Sequence, residues 1–117
     1  MRDMKTKIPK CLLCRKEMIA DPQKEYIYNC SCKGQNYVRQ VYNDMWVYRV
    51  YLDMEKRFML EMLYCLGQYE ASVYSENERS LLPDVIFSFP KFNEMSFDAF
   101  GKLYEDAKRV LELRLFI

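Results

Sequence analysis

Four thiols set the chemistry this chain can do. Cys11-Leu12-Leu13-Cys14 and Cys30-Ser31-Cys32 form two tight pairs with fifteen residues between them, the arrangement by which two loops present a tetrahedral four-cysteine site to zinc. Four thiolates close the coordination sphere of Zn2+, so such a site stabilises a small fold and leaves no position for a catalytic water. Two disulfides, another thiophilic metal or plain buried thiols are the rival readings. The C-x-C spacing of the second pair is tighter than the usual C-x-x-C and predicts a modified knuckle geometry there. Cys65, in Leu63-Tyr64-Cys65-Leu66, reads as a small hydrophobe and neither as a ligand nor as a nucleophile. The chain has no histidine, which excludes Cys-His catalysis, Ser-His-Asp triads and His-bound catalytic metals. Asp53, Glu55 and Glu61 lack motif spacing and read as turn and surface charges. No catalytic residue is assigned, and the chain is expected not to be an enzyme.

Compartment decides between the readings of the cysteines. Met1 to Lys7 run into Pro9 without an apolar stretch, so a signal peptide is not expected. Arg49, Asp53, Glu55, Glu61 and Glu70 interrupt the most apolar region, which is too broken to span a membrane. The expected location is therefore the cytoplasm, where reducing conditions disfavour structural disulfides and favour metal-held thiolates.

The formal net charge of +1 hides an asymmetry. Residues through 40 sum to +5 and the remainder to −4. Lys10, Arg15, Lys16, Lys24, Lys33 and Arg39 interleave with Tyr26, Tyr28 and Tyr37, a composition that could meet phosphates and stack on bases. Four thiolates around one Zn2+ subtract from that positive charge, and a sequence pI of about 7.5 is low for a dedicated nucleic-acid binder. A solvated charged face is the simpler reading.

The elements that must position the cysteines follow from periodicity. At 117 residues the chain is one ordinary domain, divisible into a zinc-ribbon module at 1–35 and a β-sheet body with a C-terminal helix at 36–117, expected to form one unit. In the ribbon, a turn at Asp21-Pro22 precedes a strand over Glu25 to Asn29, and Lys33-Gly34 supplies the turn after the second knuckle. Tyr37, Val38, Val41 and Tyr42 predict a strand, and Asn43-Asp44 a turn. Trp46, Tyr48, Val50 and Leu52 then alternate with Val47, Arg49, Tyr51 and Asp53 as in a half-buried strand. Arg57 to Leu66 is balanced between a helix, which Gly67 could cap, and a strand, and is read as strand on the alternation of Phe58, Leu60, Met62 and Tyr64. Two further strands are expected around Tyr69 to Val73 and Val85 to Phe89, separated by a polar loop over Ser75 to Ser80. Ser96 is a natural N-cap, and Phe100, Leu103, Ala107, Val110 and Leu111 recur at helical spacing behind it. The expected fold is α+β: an N-terminal four-cysteine zinc ribbon, an antiparallel β-meander sheet and one C-terminal amphipathic helix.

Cys11-x-x-Cys14 with Tyr26-Ile27-Tyr28-Asn29-Cys30-Ser31-Cys32-Lys33-Gly34 resembles the zinc ribbons of small phage and mobile-element proteins, including the restriction-alleviation type. The motif covers about a quarter of the chain. The Tyr-rich strands ending near Phe87-Ser88-Phe89-Pro90, followed by one amphipathic helix, are similar to small phage accessory proteins. That resemblance implies a viral protein acting in the host cytoplasm through protein–protein interaction, binding a host factor to inhibit or redirect it. The aromatic stripe around Trp46, Tyr48, Tyr51 and Tyr64 admits such an interface, although most of it reads as core. A nucleic-acid-binding zinc ribbon, serving transcription or another DNA transaction, is the alternative.

Overall fold

Period-two alternation dominates residues 36 to 75, and the chain folds as that alternation dictates. The computed structural model describes residues 8–32, 36–42, 45–53, 57–76 and 84–115. They contain β1 (Ile19–Ala20), β2 (Ile27–Cys30), β3 (Asn36–Tyr42), β4 (Met45–Asp53), β5 (Phe58–Cys65), β6 (Gln68–Ser75), β7 (Asp84–Ser88) and α1 (Phe97–Leu115). The seven strands form one antiparallel sheet in chain order, and the fold is α+β with one C-terminal helix.

The ambiguous stretch at 57–66 is strand β5. It lies between β4 and β6, where Leu60 and Met62 are fully buried and both backbone edges are paired. Gly67 caps no helix. With Leu66 it makes the two-residue turn into β6, both residues having positive φ, 53° and 79°, as a type I′ hairpin requires. The strand expected over Glu25 to Asn29 starts only at Ile27, because Tyr26 has a φ of 66°, outside the β region. Phe89 lies just past the end of β7. The turns expected at Lys33-Gly34 and Asn43-Asp44 lie outside the described residues, as does most of the Ser75 to Ser80 loop.

Register sorts the side chains onto two faces. Cross-strand rows Val38–Tyr48–Met62–Ala71 and Val50–Leu60–Val73–Phe87 build the core face, and Phe100, Leu103, Tyr104 and Ala107 of α1 pack on it. The Phe100 ring meets Tyr48 edge to face, 5.3 Å between centroids, a favoured aromatic geometry. Ser96 caps the helix, its Oγ accepting the Ala99 N–H at 3.1 Å, and Asp98 places a carboxylate in the first turn, where the helix dipole favours it. Cys11 and Met18 belong to the same buried cluster, and β2 pairs with β3 from Ile27↔Arg39 to Cys30↔Asn36. The cysteine-bearing segment is thus built onto one end of the sheet.

Candidate metal centre

The first pair of cysteines sits in a tight loop held from both ends. Lys10 bridges Glu17, and the Met18 N–H donates to the Pro9 carbonyl at 2.9 Å. Inside the loop the Cys11 N–H donates to the Lys16 carbonyl at 2.8 Å, and the Arg15 N–H to the Cys11 carbonyl at 2.9 Å. Arg15 takes a φ of 68° to close it. This curvature aims the Leu13 and Cys14 N–H groups at the Cys11 sulfur, 3.4 and 3.5 Å away. Backbone N–H groups directed at sulfur favour a thiolate there. Cys30 ends β2, and Cys32 follows two residues later.

The two loops meet. All four Sγ atoms lie within 4.8 Å of one another, with Cys11 and Cys32 3.4 Å apart and Cys14 and Cys30 3.7 Å apart. Both distances are far beyond a disulfide bond of about 2.05 Å, and all five cysteines are free thiols. A tetrahedron with metal–sulfur bonds of about 2.3 Å has sulfur–sulfur edges of about 3.8 Å. The donor set and its spacing therefore fit a metal ion. Cys65, at the far end of β5, stands outside the cluster.

Two residues that the sequence did not flag support the cluster from beneath. Asn36 Nδ2 donates to the Cys32 carbonyl at 2.8 Å and points at Cys32 Sγ, 3.6 Å away. Its Oδ1 accepts the Tyr48 hydroxyl at 2.9 Å, and that hydroxyl lies 3.4 Å from Cys11 Sγ. Asn36 and Tyr48 are 2% and 1% exposed, so this is a dry hydrogen-bonded link from sulfur to sheet. No signal in the sequence marks them, since neither is a ligand type and only the strand register brings them to the cysteines.

The thiols are not equivalent. Burial raises the Cys11 thiol, but hydrogen bonds led by Tyr48 and by the N–H groups of Cys14 and Leu13 outweigh it and bring it down to about 7. Burial pushes Cys32 up strongly and Cys30 up as well, the neighbouring thiols adding to the rise at Cys32. Burial likewise raises the Tyr48 hydroxyl, and the Cys11 sulfur adds to that, so it stays a proton donor. Without metal, Cys11 is favoured as the thiolate over Cys30 and Cys32.

The expected basic face divides. Arg15 pairs with Asp98 of α1 and lies over the Phe97 ring, 5.4 Å from its centroid. Lys10, whose backbone pairs with that of Glu17 in an isolated antiparallel β-bridge, and the exposed Lys16 lie nearby. Lys24 and Arg39 lie instead along a groove on the face of the sheet opposite α1, and Lys33 falls outside the described residues. The aromatic stripe divides too: Trp46, Tyr48 and Tyr64 are on the core side and Tyr51 on the other. Glu61, read as a surface charge near a turn, is mid-strand and 16% exposed, accepting from Arg49 Nε at 2.7 Å. Among the described residues no helix is long and apolar enough to cross a membrane. No protein family, curated protein or solved structure matches the chain.

Proposed function

We propose that Cys11, Cys14, Cys30 and Cys32 hold one structural zinc ion in a ribbon-type site, and that the chain is a non-enzymatic binding protein whose partner is another protein. The observation that carries the reading is the convergence of four cysteine sulfurs within 4.8 Å, supported by hydrogen bonds from backbone, Asn36 and Tyr48. A full set of four thiolates suits zinc, as it does other thiophilic metals, and around a single ion it occupies every tetrahedral position, which suits a clamp and leaves none for substrate. Zinc bound there would add its binding free energy to that of folding.

The sheet supports the second half of the proposal. Helix α1 packs on the core face, and the opposite face carries Tyr37, Tyr51, Tyr74 and several aliphatic side chains. A surface of this composition is common at protein interfaces. The nucleic-acid reading loses support from the division of the cations, because Arg15 is matched by Asp98 while Lys24 and Arg39 lie on the other face of the sheet. By its resemblance to small phage proteins, the partner is a host factor.

Two measurements test the proposal separately. Freshly purified, reduced protein is expected to carry about one zinc per chain and to lose it in Cys11→Ser; metal-free protein with unchanged thermal stability overturns the zinc assignment. A lysate pull-down is expected to enrich a protein over the Cys11→Ser control. No enrichment, together with tight salt-sensitive binding of DNA or RNA by the purified chain, overturns the protein-binding reading.

A further inference from the structure

On the face of the sheet opposite α1, two neighbouring cross-strand rows differ in how their charges are satisfied. In the row Asn29–Tyr37–Arg49–Glu61 every polar group has a mate. Asn29 Nδ2 donates to Asp21 Oδ2 at 3.1 Å, Arg49 Nη1 donates to the Tyr37 hydroxyl at 2.9 Å, and Arg49 Nε meets Glu61 at 2.7 Å. The adjacent row, Ile27–Arg39–Val47–Leu63, contains an arginine and no acid. Arg39 is exposed and has no ion-pair partner among the described residues. Glu70 is the first carboxylate along that row, three strands away, or about 14 Å at the usual strand spacing.

A groove of about 340 Å³ runs over this unmatched arginine, lined by Ile27, Val41 and Val47 with Arg39 and Lys24. We infer that the groove binds an extended peptide segment of the partner protein in which an acidic side chain lies beside aliphatic ones. The inference rests on the protein-binding reading above and names the chemistry of the partner. A guanidinium fork matches a carboxylate in two parallel hydrogen bonds, and Arg39 is the cation left to make them, since the Lys24 charge already faces Asp21. Aliphatic side chains on either side of the acid cover the valines and the isoleucine.

The same groove is poorly suited to a nucleic-acid strand. Its floor is mostly β-branched and aliphatic, with Tyr37 the one aromatic residue among the described residues that line it, so it lacks the succession of ring faces on which bases of a strand stack. Asp21 also lines the groove; its carboxyl is held below the ordinary range by the Gln23 N–H and by Asn29. A continuous phosphate chain would have to pass that fixed negative charge, whereas one side-chain carboxylate need not.

Fluorescence anisotropy with a short labelled peptide of alternating glutamate and valine tests the inference on the full, metal-loaded chain. Saturable binding is expected, weakened about tenfold or more by Arg39→Glu and unchanged by Lys108→Glu on α1. A lysine–valine peptide and an oligothymidine of similar length are expected to bind more weakly. Equal affinity in wild type and Arg39→Glu overturns the inference, as does oligothymidine binding more tightly than the peptide. Circular dichroism and zinc content, unchanged in Arg39→Glu, show that the variant is folded. The pull-down separates the two levels: a partner retained by Arg39→Glu overturns the groove and leaves the protein-binding reading standing, whereas no capture by wild type, together with tight salt-sensitive binding of DNA or RNA, overturns both.

Discussion

Replacing Tyr48 with phenylalanine removes one hydroxyl from a site where its partners are known. The ring is kept, so Phe100 retains its edge-to-face neighbour at 5.3 Å and no cavity opens. What changes is the supply of protons. Four metal-bound sulfurs are thiolates, and Cys11 then has no proton to give. The Tyr48 hydroxyl, 2.9 Å away, is therefore the donor that Asn36 Oδ1 needs in the loaded protein. In the metal-free protein, where Cys11 titrates at about 7, its protonated form lies 3.5 Å from the same oxygen and can replace the hydroxyl. The buried acceptor orphaned by the substitution costs about 1–3 kcal/mol, and the cost falls mainly on the loaded state. Zinc affinity should fall about tenfold or more, in the range found for outer partners of metal ligands. Competition with a chelating dye at neutral pH measures the affinity, and thermal melts with and without EDTA measure stability in the two states. Unchanged affinity, with the same loss of stability in both states, would refute the coupling and leave Tyr48 as packing alone.

Metal binding should expel about one proton more at pH 6 than at pH 8, because Cys11 titrates at about 7 and is a thiol below that value and a thiolate above it. Affinity therefore falls more steeply with acid below neutrality, and calorimetry in buffers of different ionisation enthalpy counts the protons; equal counts at the two pH values refute the assignment. Chelation should strip hydrogen-exchange protection from β1 and β2 while β4, β5 and β6 retain theirs, and uniform loss across the sheet would show that the metal holds the whole fold. Glu61→Gln should cost about 1–2 kcal/mol in urea denaturation, since it leaves a half-buried Arg49 unmatched, whereas Asp106→Asn, which breaks the exposed helix pair with Arg109, should cost under about 0.5 kcal/mol; similar losses contradict this. Leu66→Asn should stabilise by about 0.5–1 kcal/mol, because Leu66 is 84% exposed and held at positive φ. Gly67→Ala should destabilise by about 1 kcal/mol through backbone strain alone, since no atom lies within 4 Å of an added Cβ; opposite shifts in melting temperature would overturn the turn assignment.

The central strands were legible because one face of each is buried, and burial imposes a period on the residue types. β4 reads Trp46, Tyr48, Val50 on one side and Val47, Arg49, Tyr51 on the other, and no other local structure keeps those sets apart. The helix was legible from its cap. β1 was not, because both of its residues, Ile19 and Ala20, are exposed, so no burial pattern marks them. Glu61 was misplaced for a related reason. Nearness in sequence grouped it with Asp53 and Glu55, while its charge is answered across the ladder by Arg49. The cysteines announced themselves by type and spacing, but Asn36 and Tyr48 reach the sulfurs only through the pairing of three strands.

Those same pairings tie the cysteine cluster to the groove on the other face. β1 joins β2 through two paired positions, and β2 joins β3 through four. A sheet edge this short, with Ile19 74% exposed, has little apolar burial of its own to hold it in place. Its fully buried anchors in the core are Cys11 and Met18. Yet Asp21 and Lys24, from the turn between β1 and β2, and Ile27 and Asn29 of β2 form one side of the groove. Cys30 terminates that same strand, with Cys14 across from it at 3.7 Å, and the Asn36–Tyr48 link carries the cluster down to the ring of Phe100. A metal ion at the four sulfurs would thus fasten the strand that supplies one wall of the groove to the helix-backed core. In that arrangement a structural ion, with no coordination position of its own for a ligand, would still govern the proposed peptide binding, because without it the groove would keep Arg39 and Val47 and lose the wall that β2 and the turn before it supply.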